Sequence, residues 1–270
     1  MRKFALYAVV AVGAFALISC SSKKEEYVER PVDQIYNKAV DDLQNGLNKT
    51  AAKGFDEVER QHPYSVWATK AQLMSAYAYY QANDYDQAVI ALERFIQLHP
   101  GSRDIGYAYY LKALSYYEQI TDVKRDQSIT QKAMEALDEV IKRFPDSRYS
   151  RDARLKYDLT RDHLAGKEMD IGRYYEGKAM YLAAINRFKS VVENYQTTTH
   201  VPEALHRLVE CYTALGVTEE ARKAAAVLGY NFPGSEWYMD SYQLATGQDV
   251  REKTEQRGFF GRNFGWMAIF

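Results

Sequence analysis

Residues 85–102, which read YDQAVIALERFIQLHPGS, decide the fold of this chain. Small Ala88 precedes Leu92 and Phe95 at helical spacing, so the helix has one apolar face with a small residue on it. A second helix can lie closely against such a face. The following Pro100-x-Ser102 ends this helix and caps the next one. The stretch therefore predicts the second helix of a helical hairpin.

The same pattern occurs five times along the chain. Its turn marks fall at 63, 100, 145, 196 and 233, and Gln196 replaces the expected proline. Chance periodicity could imitate one helical pair, but it would not produce five pairs in register. A unit of about 34 residues with longer loops in the middle is typical of tetratricopeptide repeats. The predicted fold class is all-α, a tetratricopeptide-repeat superhelix of about five helical-hairpin repeats. The apolar positions of the copies are Ala51, Phe55 and Val58; Ala88, Leu92 and Phe95; Ala133, Leu137 and Val140; Ala184, Phe188 and Val191; and Ala221, Ala225 and Leu228.

The repeat array is predicted to span 32–247. Two insertions, at 119–127 and 164–178, are expected to interrupt its regular stacking. The periodicity predicts helices near 32–46, 48–61, 65–82, 85–98, 103–120, 127–143, 147–165, 168–178, 181–195, 201–215, 218–231 and 235–246.

The amino-terminal end has the layout of a bacterial lipoprotein signal. Arg2 and Lys3 precede an apolar run, and Leu17-Ile18-Ser19-Cys20 ends it with a small residue before a lone cysteine. This predicts a signal peptide at 1–19, acyl chains such as palmitate on Cys20, and a polar tether at 20–31. A transmembrane anchor, or a cleaved signal with a chance cysteine, is the alternative. No other cofactor and no metal are predicted.

The sequence does not favour catalysis. It has no His-Glu-x-x-His motif and no phosphate-binding glycine loop, and its five histidines lack a metal-ligand spacing. Cys211 is expected to be a buried thiol, because an unpaired cysteine usually packs as a small hydrophobic residue. A catalytic or redox cysteine is the alternative, and it is disfavoured because His206 faces another side of the same predicted helix. A murein lytic enzyme would need a further globular domain. The formal net charge of −1 gives no reason to expect a nucleic acid as partner.

Several longer segments carry a family resemblance. They are Asp33-x-Ile35-Tyr36; Tyr77-Ala78-Tyr79-Tyr80; Arg94-Phe95-Ile96-x-Leu98-x-Pro100; Asp162-x-Leu164-Ala165-x-Lys167-Glu168 with Tyr174-Tyr175; and Ala184-Ile185-Asn186-Arg187. Each fragment alone is weak, but together and in order they are specific. With the lipoprotein signal and the repeats, they resemble the BamD family of outer-membrane lipoproteins over nearly the whole mature chain.

The resemblance implies a scaffold of the machinery that assembles β-barrels in the outer membrane, and not an enzyme. Its N-terminal repeats would bind unfolded outer-membrane proteins, and its C-terminal repeats would dock on the POTRA domains of the barrel-forming, BamA-type subunit. Other lipoproteins of the Bam complex are implied as further partners. By position, Arg173, Tyr174, Tyr175 and Arg187 fall in the docking half, although an intrachain ion pair explains Arg187 equally well. The implied location is the periplasmic face of the outer membrane, which Ser21 after the lipidated cysteine also favours.

Six tyrosines of the N-terminal repeats form the candidate substrate groove. Their rings could hold the aromatic-rich end of an unfolded barrel strand, with Arg60, Lys70 and Arg94 nearby for its carboxylates. Rings at helical spacing usually pack inside, so most of the set is expected in the core. Tyr64 and Tyr107 are expected to be exposed, because they lie close to turns. The six are Tyr36, Tyr64, Tyr77, Tyr80, Tyr107 and Tyr110.

The stretch 248–270 is predicted to be a flexible aromatic-rich tail. Phe264, Trp266 and Phe270 would share one face of an extended strand. Such a tail could occupy the substrate groove or add a strand to a barrel partner. The favoured interpretation is a disordered end that packs on the last repeat or on the membrane surface. The alternative function for the whole chain is a periplasmic tetratricopeptide adaptor that couples cell-wall synthesis to envelope constriction.

Overall fold

The structure is a computed structural model, and it describes residues 29–246. Within this range the chain forms eleven α-helices and no β-strand. The predicted signal peptide, Cys20, most of the tether and the tail at 248–270 lie outside the described residues. The helices are α1 (Val32–Gln44), α2 (Asn48–Gln61), α3 (Val66–Gln81), α4 (Tyr85–Leu98), α5 (Ile105–Tyr117), α6 (Ser128–Arg143), α7 (Arg148–Gly177), α8 (Tyr181–Asn194), α9 (Val201–Ala214), α10 (Thr218–Asn231) and α11 (Glu236–Thr246).

Neighbouring helices pair into five hairpins, α1–α2, α3–α4, α5–α6, α7–α8 and α9–α10, and α11 follows the last of them. We call the first helix of each hairpin, together with α11, an A-helix, and the second a B-helix. A-helices also contact one another, along α1, α3, α5 and α7 and again between α9 and α11. They therefore form a common layer. The all-α repeat fold predicted from the sequence is confirmed.

The turn inside four of the five hairpins is built in the same way. Two positions after the A-helix ends, the backbone enters the left-handed region at Gly46, Asn83, Ala179 and Gly216, with φ values of 76°, 57°, 58° and 74°. Glycine adopts this conformation without strain, and asparagine tolerates it, whereas alanine is strained there. The α5–α6 connection is a longer loop, which coincides with the predicted insertion at 119–127.

The apolar positions of the repeats form the core. The alanine that begins the pattern is at most 2% exposed in every copy, and the large residues that follow it are buried as well. Phe55, Phe95 and Phe188 are the largest of the fully buried side chains. A small residue opposite a large one lets the A-helix and B-helix of a hairpin approach closely, as the spacing predicted.

The predicted helix break between 165 and 168 is wrong. Residues 148–177 form one continuous helix of 30 residues, about 45 Å long at 1.5 Å per residue. A glycine inside a helix costs only about 1 kcal/mol relative to alanine, so Gly166 does not break it. Gly166 has a packing reason instead, because a Cβ there would lie 3.2 Å from His200 Nε2 and 3.6 Å from Val123 Cγ1.

Helix α7 takes part in two of the four buried apolar clusters. Ala153, near its start, packs with residues of α5 and α6, whereas Ala165 and Met169 pack in a cluster that extends to α10. Between these contacts the α8–α9 loop is tied to α7, because Asp162 accepts hydrogen bonds from Thr199 N and Oγ1 at 2.9 and 2.8 Å. We call residues 29–153 the N-terminal half and residues 165–246 the C-terminal half. One helix thus joins the two halves.

Candidate functional site

Five tyrosines lie beside one another on the A-helices of the N-terminal half, from α3 to the start of α7. All five are partly buried. They include four of the six predicted groove residues, which the fold brings together. We call this set the tyrosine band; it consists of Tyr77 and Tyr80 on α3, Tyr107 and Tyr110 on α5, and Tyr149 on α7.

Ring contacts connect the band between α5 and α7. Tyr149 lies 5.7 Å from Tyr107 and stacks on Tyr110 at 5.1 Å, measured between ring centroids. Tyr107 also lies within electrostatic range of Tyr77 and Tyr80. Burial raises the pKa of Tyr80 and that of Tyr107 to about 12, so both hydroxyls stay protonated at neutral pH. The band is therefore an uncharged, largely apolar strip that keeps hydroxyl groups.

One hydroxyl of the band is fixed by a carboxylate. Tyr110 Oη donates to Asp152 Oδ2 at 2.5 Å, and Lys156 Nζ donates to Asp152 Oδ1 at 2.9 Å. Burial alone would raise the pKa of Asp152, but these two hydrogen bonds lower it overall. Asp152 therefore remains ionised at neutral pH and holds the Tyr110 ring in place.

A cation lies at the α7 end of the band. Arg148 Nη2 donates to Tyr149 Oη at 2.7 Å, and the guanidinium carbon lies 4.8 Å from the centroid of the same ring. Arg148 itself is exposed. An extended peptide on the band would therefore meet rings along its length and a positive charge at one end.

The cations predicted beside the groove are arranged differently. Arg60 pairs with Glu57, and Arg94 pairs with Glu59, so both arginines are held by glutamates of α2. Lys70 is exposed on α3. Sequence spacing predicted the presence of these charges but not their partners.

Two predicted groove tyrosines lie outside the band. Tyr36 is only 5% exposed, and its ring packs on Phe55 and Trp67 at 5.4 and 4.8 Å. Its assignment to an accessible groove is therefore wrong. Tyr64 is fully exposed, as predicted, but it lies in the turn between α2 and α3. Tyr107, the other ring expected to be exposed, is partly buried.

Sequence reasoning missed Tyr149, although a signal was present. Tyr149 comes two positions after Ser147, which caps α7, just as Trp67 comes two positions after Ser65, which caps α3. Both aromatic residues therefore occupy the first turn of an A-helix. A comparison of the first turn of the A-helices across the repeats identifies Tyr149 as an aromatic residue of the A-helix layer.

The A-helices of the C-terminal half carry charges where the N-terminal half carries rings. Arg173 donates two hydrogen bonds to Glu203, both at 2.8 Å. Arg207 lies 2.8 Å from Glu210, 3.5 Å from Glu203 and 3.7 Å from Glu176. We call these five residues the charge network. It joins the end of α7 to α9.

The three glutamates of the network differ in pKa because their partners differ. Burial raises the pKa of Glu176 above its usual value, since Arg207 opposes this effect only in part. Burial would also raise the pKa of Glu203, but the hydrogen bonds and charge of Arg173 lower it overall. A hydrogen bond from His206 lowers the pKa of Glu210. Glu176 is therefore the least compensated carboxylate of the three.

The predicted docking residues lie at the end of α7 and on α8. Arg173 belongs to the charge network, Tyr174 is 63% exposed, and Tyr175 packs partly buried against the apolar cluster of the C-terminal half. Arg187 Nη1 lies 3.1 Å from Glu168 Oε2. This is the intrachain ion pair that the sequence left open. The structure thus places Arg173 and Arg187 in two separate ion pairs.

The described residues contain no obvious reactive centre. Cys211 is buried, as predicted, its thiol donates to Glu176 Oε1 at 3.5 Å, and burial raises its pKa to about 12. The thiol is therefore protonated at neutral pH and is not a nucleophile. Across residues 29–246, no group of three or more potential ligands could hold a metal ion. In the same range no helix combines the length and apolar character needed to cross a membrane.

Comparisons with known proteins give a consistent assignment. The family model described as YfiO, outer membrane lipoprotein, matches residues 28–228. A protein of Caulobacter vibrioides, named outer membrane protein assembly factor BamD, is 49% identical over 252 residues, which cover 92% of this chain and 82% of the relative. The chain belongs to the BamD family.

Other members of the BamD family are also similar. The BamD protein of Rickettsia prowazekii is 46% identical and covers 90% of this chain and 98% of its own length. That of Neisseria meningitidis is 34% identical, with 78% and 83% covered. Among solved structures, the TPR2AB domain of yeast Sti1 in its Hsp90 complex aligns over 84% of this chain and 86% of that chain, with a TM-score of 0.42 and 11% identity.

The segment that matches the family model includes both surfaces. Residues 28–228 run from α1 into α10, and they contain the tyrosine band and the charge network. Helix α11 begins at Glu236, after the matched segment ends. The segment matched by the family model therefore covers the five hairpins up to the last turn of α10.

Proposed function

We propose that this chain is a non-enzymatic lipoprotein scaffold of the outer-membrane β-barrel assembly machinery. It binds unfolded outer-membrane proteins on its N-terminal repeats and the POTRA domains of the barrel-forming subunit on its C-terminal repeats. Membership of the BamD family, whose curated relatives are named as outer membrane protein assembly factors, supports the general role. The tyrosine band is the observation that carries the substrate-binding part.

The band suits an extended segment with alternating aromatic side chains. It crosses three successive A-helices and has partly buried rings with protonated hydroxyls. Such rings offer apolar faces for aromatic residues, and their hydroxyls accept hydrogen bonds from a backbone that has no partner strand. Arg148 supplies a positive charge for a carboxylate at one end. An unfolded barrel strand has the matching groups, which are aromatic side chains, backbone groups without a partner strand and a carboxylate.

The docking part rests on the C-terminal half. A folded partner domain needs fixed charges for specificity more than adaptable rings, and the charge network supplies them. Arg173, exposed Tyr174, Tyr175 and Arg187 are the proposed contacts. Arg187 would exchange its bond to Glu168 for a carboxylate of the POTRA domain. The other lipoproteins of the complex are further proposed partners.

The proposed location is the periplasmic face of the outer membrane. Acyl chains on Cys20 would hold the scaffold there, because each buried methylene contributes about 0.8 kcal/mol. Mass spectrometry of the mature amino terminus tests this part on its own. A mature terminus other than an acylated Cys20 would contradict the anchor and leave the binding proposals standing.

Substrate binding is tested with a fluorescent peptide that carries the last strand of an outer-membrane barrel. The chain with Tyr107→Ala and Tyr149→Ala should bind it about 100-fold more weakly, since each lost ring removes about 1.5 kcal/mol of apolar contact and about 1.4 kcal/mol corresponds to a tenfold change in affinity. Tyr230→Ala is the matched control, because Tyr230 is 87% exposed on the C-terminal half. The Tyr107→Phe and Tyr149→Phe pair should retain binding. Unchanged affinity in a double alanine variant that remains helical would contradict the assignment.

Docking is tested by isolating the native protein from outer membranes. Co-purification of a large β-barrel with POTRA domains supports the proposal, and Arg187→Ala should reduce its yield. Co-purification of murein synthases in its place would favour the adaptor of cell-wall synthesis.

A further inference from the structure

Two exposed leucines lie on one side of helix α7. Leu155 is 60% exposed and Leu159 is 51% exposed, whereas the large apolar residues of the repeat pattern are buried. Four positions separate the two leucines, so they stand about 6 Å apart along the same side of the helix. The pair therefore forms an apolar patch on the helix that joins the two halves.

Opposite charges flank this patch. Arg151 precedes Leu155 by four positions, and Asp162 follows Leu159 by three. Arg151 is exposed and has no hydrogen bond or ion pair with any residue from 29 to 246. Asp162 Oδ1 accepts two hydrogen bonds from the α8–α9 loop, whereas its Oδ2 lies 3.6 Å from His200 Nε2, beyond hydrogen-bond distance. This side of α7 is therefore positive before the leucines and negative after them.

The same side of α7 continues into a cleft of about 280 Å³. Gly166 lines the cleft and follows Leu159 by seven positions, which keeps it on the leucine side of the helix. The charged side chains that line it from α7 are Asp162, Asp170 and Arg173. Arg173 is bound to Glu203, and Asp170 has no hydrogen bond or ion pair within the described range. The cleft therefore offers a carboxylate to a cation from outside.

The order of these groups is complementary to its own reverse. Two copies of α7 can lie antiparallel about a twofold axis that passes midway between Leu155 and Leu159. Each Leu155 then meets Leu159 of the second copy, and each Arg151 meets Asp162 of the second copy. At about 100° per residue, Arg151 and Asp162 lie on the same side of the line through the leucines, as this pairing requires.

The antiparallel pairing also brings Arg148 to the cleft. Arg148 precedes Leu155 by seven positions and Gly166 follows Leu159 by seven, so the two stand at the same level in the pair. Asp170 lies one helical turn beyond Gly166, within reach of an exposed guanidinium group. Each copy thus presents a positive, an apolar and a negative segment, and a reversed second copy matches all three.

We propose that two copies of this chain associate through this side of α7 as an antiparallel dimer. The contact from Arg148 to Gly166 is about 27 Å long, which is small for a specific interface, so the dimer is weak. The dimer goes beyond the proposed function and leaves the proposed docking site free. Glu168, which holds Arg187, lies about 200° around α7 from Gly166 and so faces away from the contact.

Sedimentation equilibrium of residues 21–270, which include every described helix and no acylated cysteine, tests the proposal. The chain should dimerise reversibly as its concentration rises to about 1 mM. Leu155→Asp with Leu159→Asp should raise the dissociation constant at least tenfold, with the helix content unchanged in circular dichroism. Leu182→Asp is the matched control, because Leu182 is 71% exposed on α8. A wild-type chain that stays monomeric, or a dimer that the leucine variant forms equally well, would overturn the proposal.

A charge exchange between copies tests the antiparallel register. Arg151→Glu alone and Asp162→Lys alone should each weaken the dimer, because each places like charges opposite one another. A mixture of the two variants should dimerise again, since both charge pairs of the mixed dimer have opposite signs. A mixture that associates no better than the separate variants would overturn the register. A monomeric chain that loses another envelope protein from its native complex through Leu155→Asp would overturn the dimer, with that protein as the occupant.

Discussion

The two halves of the molecule use the same layer for different contacts. In the N-terminal half the A-helices carry the tyrosine band, whereas in the C-terminal half they carry the charge network. Rings give apolar area without demanding one geometry, so they suit substrates of varied sequence. Paired charges require matched positions and penalise wrong partners. Under the proposed function, the first half would accept many ligands and the second would select few.

The scaffold beneath this layer is the same in both halves. Phe55 and Phe188 occupy the same repeat position, and both are 0% exposed. Each half also has a glycine where two helices approach closely, Gly54 against Ala39 and Gly172 against Phe188. The two halves therefore differ in the A-helix surface and not in the core. Changes in the core should then affect each half separately.

The largest expected effect is that of Phe188→Ala. Removing a buried phenylalanine costs about 3 to 5 kcal/mol, through lost burial and the cavity that remains. Because repeats contact mainly their neighbours, the loss should appear in the C-terminal half, with α1 to α4 still protected in hydrogen exchange. Phe55→Ala should give the reverse pattern, and Leu182→Ala, at a 71% exposed site, should change little. Identical exchange patterns in the two phenylalanine variants would show that the halves unfold as one unit.

The next effect is that of Gly172→Ala. A Cβ at this position would lie 2.4 Å from Phe188 Cε1, and that ring is fully buried and cannot move away. The strain should lower the free energy of unfolding by about 3 kcal/mol, near the top of the usual range for overpacking. Gly177→Ala is the matched control, because nothing lies within 4 Å of its Cβ. Partial recovery in the double variant with Phe188→Leu, measured by urea unfolding, would identify the ring as the cause.

These glycines show how much of the fold the sequence could predict. The alanines and large apolar residues of the repeats predicted the hairpins, because their spacing in the sequence shows the helical period directly. Gly166 was interpreted as part of an interruption, although it lies inside α7 beside His200 and Val123. The sequence does not distinguish a glycine that breaks a helix from a glycine that lets a neighbouring residue pack closely against the helix. Only the contact distinguishes them.

The sequence likewise predicted only part of the candidate site. Tyr77, Tyr80, Tyr107 and Tyr110 come together because their spacing follows the A-helices. Tyr36 has similar spacing but points into the core, where Phe55 and Trp67 enclose it. The side of a helix that faces its neighbours depends on packing between hairpins, which periodicity within one helix does not report. The pairing of Arg173 with Glu203 across 30 positions is likewise a property of the stack.

A smaller effect, with a defined pH dependence, is expected for Glu203→Gln. The variant loses charge-assisted bonds from Arg173 and should be about 1.5 kcal/mol less stable at neutral pH, the low end for such bonds. Since Arg173 lowers the pKa of Glu203 below its usual 4.5, this stabilisation is present above pH 4.5 and is lost as pH falls through the native pKa. The difference between variant and wild type should therefore shrink in acid, as followed by thermal unfolding.

Glu176→Gln is the matched control for the same network. Burial raises the pKa of Glu176, so its ionised form is less favourable in the folded chain than in the unfolded one. Replacement by the neutral amide should be neutral or stabilising at pH 7, and its advantage should disappear in acid. Equal destabilisation of both variants would show that the network acts as one unit and that Glu176 has no separate role.

The smallest effect is that of Tyr110→Phe, which tests the hydrogen bond between the tyrosine band and Asp152. The variant loses the hydrogen bond to Asp152 and keeps the ring, so it should be about 1 kcal/mol less stable. Asp152 still receives a hydrogen bond from Lys156, which limits the loss. Tyr107→Phe is the control, because burial rather than a fixed partner dominates its environment. If both variants bind the strand peptide as wild type does, the band acts through its rings; if Tyr110→Phe alone binds more weakly, the ring must be held by Asp152, and the N-terminal half also depends on fixed geometry.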